Sequence, residues 1–132
     1  MGQFKDIEEA RAFFAQDRFA TVNGMKLDEL YEGGCVCSVE LRDDHRNALG
    51  NVMGGAVFTL ADFAFAVASN SDHRPGVGLE AHIHFLSAAK GSKLIATASR
   101  VKSGRATGVY EVKVKDDLGR DVALYIGSVF KL

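Results

Sequence analysis

The sequence predicts an α+β domain in which one antiparallel β-sheet curls around one long central helix. Three observations carry that expectation. Residues 54–69 put apolar side chains on nearly every side of a helix, and such a rod has to be enclosed. Residues 77–131 then break into four strand-like runs. The breaks between the runs are short, which favours antiparallel hairpins or a meander over parallel crossovers. A single sheet wrapped about a single rod satisfies all three.

In chain order, residues 4–16 come first, with Ile7, Ala10, Phe13 and Phe14 at helical spacing. Residues 18–22 and 33–41 read as strands; in the second, Val36, Val39 and Leu41 interleave with polar positions. Residues 42–51 form a polar loop, and the helix at 54–69 follows. Residues 70–76 are turn-rich and hold Pro75, the one proline of the chain. The last four runs are 77–86, 92–102, 107–115 and 122–131, separated at Lys90-Gly91, Ser103-Gly104 and Asp116-Asp117-Leu118-Gly119. Nothing repeats and no low-complexity linker interrupts, so 1–132 read as one domain with an N-terminal helical segment at 1–17.

The bulk numbers exclude several classes. With 132 residues, the chain can bury a core without metals or disulfides. A net charge of −1 gives no case for nucleic acid or an anionic membrane surface as partner. The N-terminus carries Lys5, Asp6, Glu8, Glu9 and Arg11 and so lacks a secretory core. The most apolar stretch, 52–68, is interrupted by Asp62 and by Gly54-Gly55, which argues against a membrane span. A cytoplasmic protein is the expectation. Cys35 and Cys37 share one strand face, a poor spacing for a disulfide. Two small buried thiols fit that pair; a metal pair is the alternative, but His82 and His84 lie at no recognisable ligand spacing from it.

Within 52–68 the sole ionisable side chain is Asp62. An unpaired carboxylate in apolar surroundings is costly, and acids kept in such places concentrate at functional sites. The other reading pairs it with a basic residue or sets it against a wet interface. Gly54-Gly55 opens the same helix, where the first amides have no internal partner and the dipole is positive. Glycines there either pack tightly or let a substrate approach a free N–H able to hold an oxyanion. Gly54 and Asp62 stand eight residues apart, about 12 Å along a helix. One carbonyl cannot be within about 3.5 Å of both. The expectation is a composite site, in which Gly54 of one subunit faces Asp62 of its twin across a two-fold axis.

The motif His45-Arg46-Asn47-Ala48-Leu49-Gly50-Asn51-Val52-Met53-Gly54-Gly55, followed by Leu60-Ala61-Asp62, resembles the phenylacetate-pathway (PaaI-type) branch of hotdog-fold thioesterases. That pattern reads His-x-Asn, then Gly, then His-Gly-Gly, then Leu-Ala-Asp. The resemblance continues through Phe85-Leu86-Ser87-Ala88-Ala89-Lys90-Gly91, Ser103-Gly104-Arg105-Ala106-Thr107 and Asp117-Leu118-Gly119-Arg120, and spans roughly residue 35 to the C-terminus. It implies a hotdog fold and hydrolysis of acyl-CoA thioesters with no metal and no cofactor beyond the CoA of the substrate. It assigns the acid to Asp62, as general base or as nucleophile giving a mixed anhydride. It assigns the oxyanion amide to Gly54, and placement of water or thioester to Asn47. It implies a homo-oligomer, a dimer of dimers. One position departs from the pattern: Met53 stands where the family has histidine and offers no strong donor. That substitution predicts a lower rate or an altered substrate choice.

Around these residues, Gly55 allows close approach of the substrate, and Thr59 either orients Asp62 or bonds back to its own helix. Phe58 and Phe65 either line an acyl pocket or pack the core. Lys90, Lys93, Lys102 and Arg105 are expected to gather at strand ends and meet the nucleotide phosphates, Arg105 foremost; the plain alternative is solubilising charge at hairpin tips. His82 and His84 read as solvent or interface residues, and His45 and His73 as loop residues. Two other functions stay open: a non-catalytic acyl-CoA binding protein, and an enoyl-thioester hydratase or dehydratase of the same fold.

Overall fold

Residues 2–132 are described by a computed structural model. Asp6 accepts a hydrogen bond from the Glu9 amide and so starts helix α1, Ile7–Phe14, inside the 4–16 span expected. α1 buries Ala10 and Phe14, and Phe14 meets Phe63 edge-on at 6.5 Å. Residues 18–22 require a correction. They form a second short helix, α2 (Arg18–Val22), not a strand. The Asp17 carbonyl accepts both the amide and the hydroxyl of Thr21, and Gly24, at φ +92°, turns the chain out of the helix. Asp17 precedes α2, where an aspartate cap is worth about 1 kcal/mol, yet its side chain makes no capping bond.

Strand β1, Lys26–Tyr31, has no counterpart in the sequence reading, because Lys26, Asp28 and Glu29 mask its alternation. It pairs antiparallel with β2, Gly34–Glu40, around Glu32-Gly33. A 3₁₀ turn at Asp43–His45 leads toward helix α3, Gly54–Asp72. α3 runs three residues beyond the expected end. Asp72, in its last turn, accepts from the Tyr110 hydroxyl and pairs with Arg100 Nη1 at 3.1 Å, which ties that turn to the sheet. Four strands follow: β3 (Gly76–Phe85), β4 (Lys93–Ser103), β5 (Thr107–Asp116) and β6 (Asp121–Lys131), each close to its expected span.

The six strands form one antiparallel sheet in the order β1-β2-β4-β5-β6-β3. β4, β5 and β6 make the expected meander, but β3 lies beside β6 and not beside β4. The chain therefore leaves an edge strand and crosses the ends of β6 and β5 to enter β4. This is the hotdog fold, with α3 as the rod in the concave face. Cys35, Cys37, Leu94, Ala96, Ala98, Val112, Val114 and Tyr125 face that rod and are fully buried. Both cysteines are free thiols; Cys35 Sγ lies 3.2 Å from the Ala64 carbonyl. Gly127 leaves room for the Phe65 ring: a Cβ there would sit 3.0 Å from it, so the ring would have to shift.

Within one chain, α3 is not enclosed on every side. Gly55 and Asp62 are exposed, and Phe58, Thr59 and Ala66 are half-buried. These positions are spaced as one helical stripe, and that stripe is left uncovered. The β3 edge is open as well, with Val77, Leu79 and Phe85 about half exposed.

Candidate active site

α3 begins with two amides that its own backbone does not use. The Met53 carbonyl accepts from Ala56 N at 2.9 Å and Val57 N at 3.3 Å, so Gly54 and Gly55 lie ahead of the first intrahelical bond. Phe85 packs over Gly54; a Cβ at Gly54 would meet its ring at 3.1 Å. The groove beside Gly54, about 300 Å³, is walled by Phe85 at the end of β3, by Leu86, Ser87, Ala88 and Ala89 of the crossing loop and by Val122.

A buried carboxylate holds that loop. Asp116 accepts hydrogen bonds from the amides of Lys90 (2.8 Å), Arg120 (2.9 Å) and Leu118 (3.0 Å). Burial alone pushes its carboxyl up, but the three amides and Arg120 outweigh that and hold it below the usual aspartate range. Next to it Asp117 accepts from the Ser92 hydroxyl and amide, and these bonds hold its carboxyl low as well.

Asp62 is two turns further along α3. Its Oδ1 accepts the Tyr125 hydroxyl at 2.7 Å. Burial, and then the bond to Asp62, push the Tyr125 phenol above its ordinary range, so the tyrosine remains the donor. Phe58 packs edge-on against Tyr125 at 5.5 Å, and Phe65 packs against Tyr125 and Tyr110. Asp62 stands between two cavities. One, about 450 Å³, is lined by Asp17, Arg18, Phe19, Phe58, Thr59, Phe63 and Ala66. The other, about 240 Å³, is lined by Phe65, Gly78, Leu79, Glu80, Ala81 and Tyr125. A third cavity, about 460 Å³, joins Met53, Gly55, Phe58 and Thr59 to Phe19, Met25 and His45.

The structure brings some of the expected residues together and keeps others apart. Phe58, Phe65 and Thr59 line the cavities at Asp62. Thr59 Oγ1 donates to the Gly55 carbonyl at 2.8 Å, so it bonds its own helix and not the carboxylate. Neither cavity at Asp62 includes Gly54 or Asn47 of the same chain. Asn47 Oδ1 accepts from Leu49 N and Asn51 N at 3.0 and 3.1 Å, which shapes its own turn. The four basic residues do not gather. Lys90 and Lys93 stand near the start of β4, whereas Lys102 and Arg105 stand at its far end. Nine strand residues from Lys93 to Lys102 amount to about 30 Å. His82 and His84 lie on the outer face of β3, exposed, with ring centroids 6.2 Å apart. Among the described residues, no three His, Cys, Asp or Glu side chains gather as a metal site.

Two residues escaped the sequence reading, and the role of a third did. Tyr125 orients Asp62 from 63 positions away, which no local pattern signals. Asp17 shares the larger cavity with Asp62, and its place before a helix reads as a cap. His45, in the loop as expected, is 3% exposed and clamped there. Its Nδ1 accepts from Arg42 N at 2.9 Å, and its Nε2–H donates to the Asn23 carbonyl at 2.7 Å. Its own carbonyl accepts from Met53 N at 2.8 Å, which fixes the entry to α3.

The sequence pattern of the Thioesterase superfamily matches residues 49–123, the span holding Gly54, Asp62 and the crossing loop. The chain belongs to the thioesterase superfamily. Within this family it is similar to the acyl-coenzyme A thioesterase PaaI of Escherichia coli (strain K12), 31% identical over 126 residues, with 95% of this chain and 90% of that protein covered. The structure of the E. coli PaaI protein from the phenylacetic acid degradation operon matches with a TM-score of 0.89, 30% identity and coverage of 96% of this chain and 92% of that one. A hypothetical thioesterase protein of Streptococcus pneumoniae, solved with coenzyme A, matches with a TM-score of 0.83, 27% identity and coverage of 90% and 94%. As a family member the protein is a thioester hydrolase of the PaaI type. Among the described residues, no helix is long and apolar enough to cross a membrane.

Proposed function

We propose that this thioesterase hydrolyses acyl-CoA esters at a site completed by a second copy of itself. The carrying observation is Asp62: an acid exposed on the uncovered stripe of α3, with one oxygen fixed by Tyr125. Asp62 takes a proton from water, and the water oxygen bonds to the thioester carbon. The carbonyl oxygen, now an anion, is held by the Gly54 amide of the second copy. When that charge returns, the C–S bond breaks and the CoA sulfur takes the proton from Asp62, leaving a free acid and CoA.

Two features support the second copy. Gly54 and Asp62 are too far apart along one helix to serve one carbonyl, by the distance of about 12 Å. The open β3 edge, with Val77, Leu79 and Phe85, is suited to antiparallel pairing with its own twin. Pairs of such dimers, the dimer-of-dimers arrangement, would also cover the α3 stripe. Asn47, with its amide nitrogen turned to no described partner, is assigned to the thioester. Met53, Gly55, Phe58 and Phe65 are assigned to the acyl group, and Lys90, beside the Gly54 groove, to CoA phosphate. Arg105 serves a phosphate only if the second copy brings it to that groove. The PaaI protein's name and the coenzyme A in the S. pneumoniae structure support this substrate class. The free buried thiols suit the cytoplasm.

Release of free thiol from a panel of acyl-CoAs tests the reading, with Asp62→Ala as control. Release that the variant abolishes is expected. Binding without release would instead mean a non-catalytic acyl-CoA binder, and water addition to an enoyl-CoA a hydratase.

A further inference from the structure

A second carboxyl group shares the space at Asp62. Asp17 lines the cavity of about 450 Å³ together with Arg18, Phe19, Phe58 and Phe63. An aspartate just before a helix ordinarily turns its oxygen back onto the first amides. Asp17 does not, although it stands directly before α2. Burial pushes its carboxyl up, and the charge of Asp62 pushes it further in the same direction. Both side chains are exposed in the single chain, yet α2 is left uncapped and two like charges are set beside one cavity, which no packing need explains. Local preference overridden in this way is a mark of a working site.

Two acceptors that repel each other are reconciled by a molecule that brings two protons. We propose that Asp17 and Asp62 hold the attacking water between them, each accepting one of its O–H bonds. That arrangement leaves a lone pair of the water facing the thioester carbonyl. It rests on the thioesterase reading of Asp62 and deepens it, since it makes Asp62 a base toward water and not the attacking group. Tyr125 occupies Oδ1 of Asp62, which leaves Oδ2 for the water. The water oxygen bonds to the carbonyl carbon, the proton facing Asp62 passes to Oδ2, and the carbonyl electron pair moves to the oxygen. As that pair returns, the C–S bond breaks and the sulfur receives the proton from Asp62. Asp17 accepts throughout, keeps the other proton on the new carboxyl group and is itself unchanged.

The test uses the intact protein and an acyl-CoA that it hydrolyses, with thiol release as readout. Asp17→Ser replaces the carboxylate with a residue that caps α2 well. The expected result is an unchanged or raised Tm, kcat lower by at least about tenfold, and KM within about twofold. The pH profile must move too. Asp17 has to be ionised to accept, and its carboxyl is pushed up by burial and by the charge of Asp62, so wild-type kcat falls as pH drops through that raised value. Without Asp17 that limb shifts to lower pH. Arg18 from α2 lines the cavity of the pair, and Tyr125 from β6 and Glu80 from β3 line the other cavity at Asp62; all three stay in place in the variant. Asp17→Asn, nearly isosteric, repeats the measurement. Unchanged kcat in both variants overturns the proposal. So does a lower kcat with an unmoved acid limb, which marks a structural role. Full turnover in Asp62→Ala overturns the underlying reading along with it, whereas an inactive Asp62→Ala beside fully active Asp17 variants sinks only the water clamp.

Discussion

Around Asp62 single atoms decide what the carboxylate can do. Tyr125 gives it one fixed hydrogen bond, at 2.7 Å. Tyr125→Phe is expected to lower kcat by about tenfold, with a stability loss near 1 kcal/mol, measured by thiol release and urea unfolding. Met53 lies half exposed in the cavity it shares with Gly55 and Phe58. Met53→His supplies a donor at the helix start, and higher turnover on acyl-CoA is the expected outcome; no change would make the position irrelevant. At this scale the sequence was half legible. Asp62 and Gly54 stood out because an acid or a bare helix start inside an apolar stretch is visible in the string itself. Tyr125 and Asp17 did not, because a tyrosine in a strand and an aspartate before a helix look like ordinary packing and capping.

Among the elements, the crossing loop between β3 and β4 depends on Asp116 and Asp117. Their carboxyls are held below the ordinary aspartate value of 3.8 in the fold. Groups lowered on folding contribute stability above 3.8 and lose it as pH falls through their folded values. Acid unfolding should therefore steepen below that point, and Asp116→Asn should be less stable at neutral pH with a flatter acid limb, as followed by urea midpoints against pH. The same variant should raise KM by loosening the wall beside Gly54. α3 was readable because its apolar run is long, and strands β2 to β6 because turn residues bound each apolar run. β1 was not, since charges interrupt its alternation, and five residues at 18–22 are too few to separate helix from strand. The seat of β3 next to β6 was hidden as well, because which strands pair is settled by contacts across the whole chain, not by the turns between them.

For the molecule as a whole, the division of one site between two copies makes a sharp prediction. Gly54→Pro removes the donor amide while keeping a residue suited to the first helical position, and Phe85, half exposed, can move to admit the ring. Gly54→Pro alone and Asp62→Ala alone should be inactive. Equal amounts of the two, allowed to exchange subunits, should recover about a quarter of wild-type turnover, since half of the dimers would then hold one intact site of two. A mixture as dead as its components would show that each site belongs to one chain. Leu79→Lys on the open β3 edge should give a monomer by sedimentation, and with it loss of activity despite an intact Asp62.

Cys35 and Cys37 have no accessible surface, and both lie against α3 from β2. A thiol-modifying reagent can reach them only when the sheet lifts away from the rod. Their rate of alkylation is thus a built-in clock for that opening, readable by mass spectrometry on the unmodified protein, and a ligand that braces the rod should slow it.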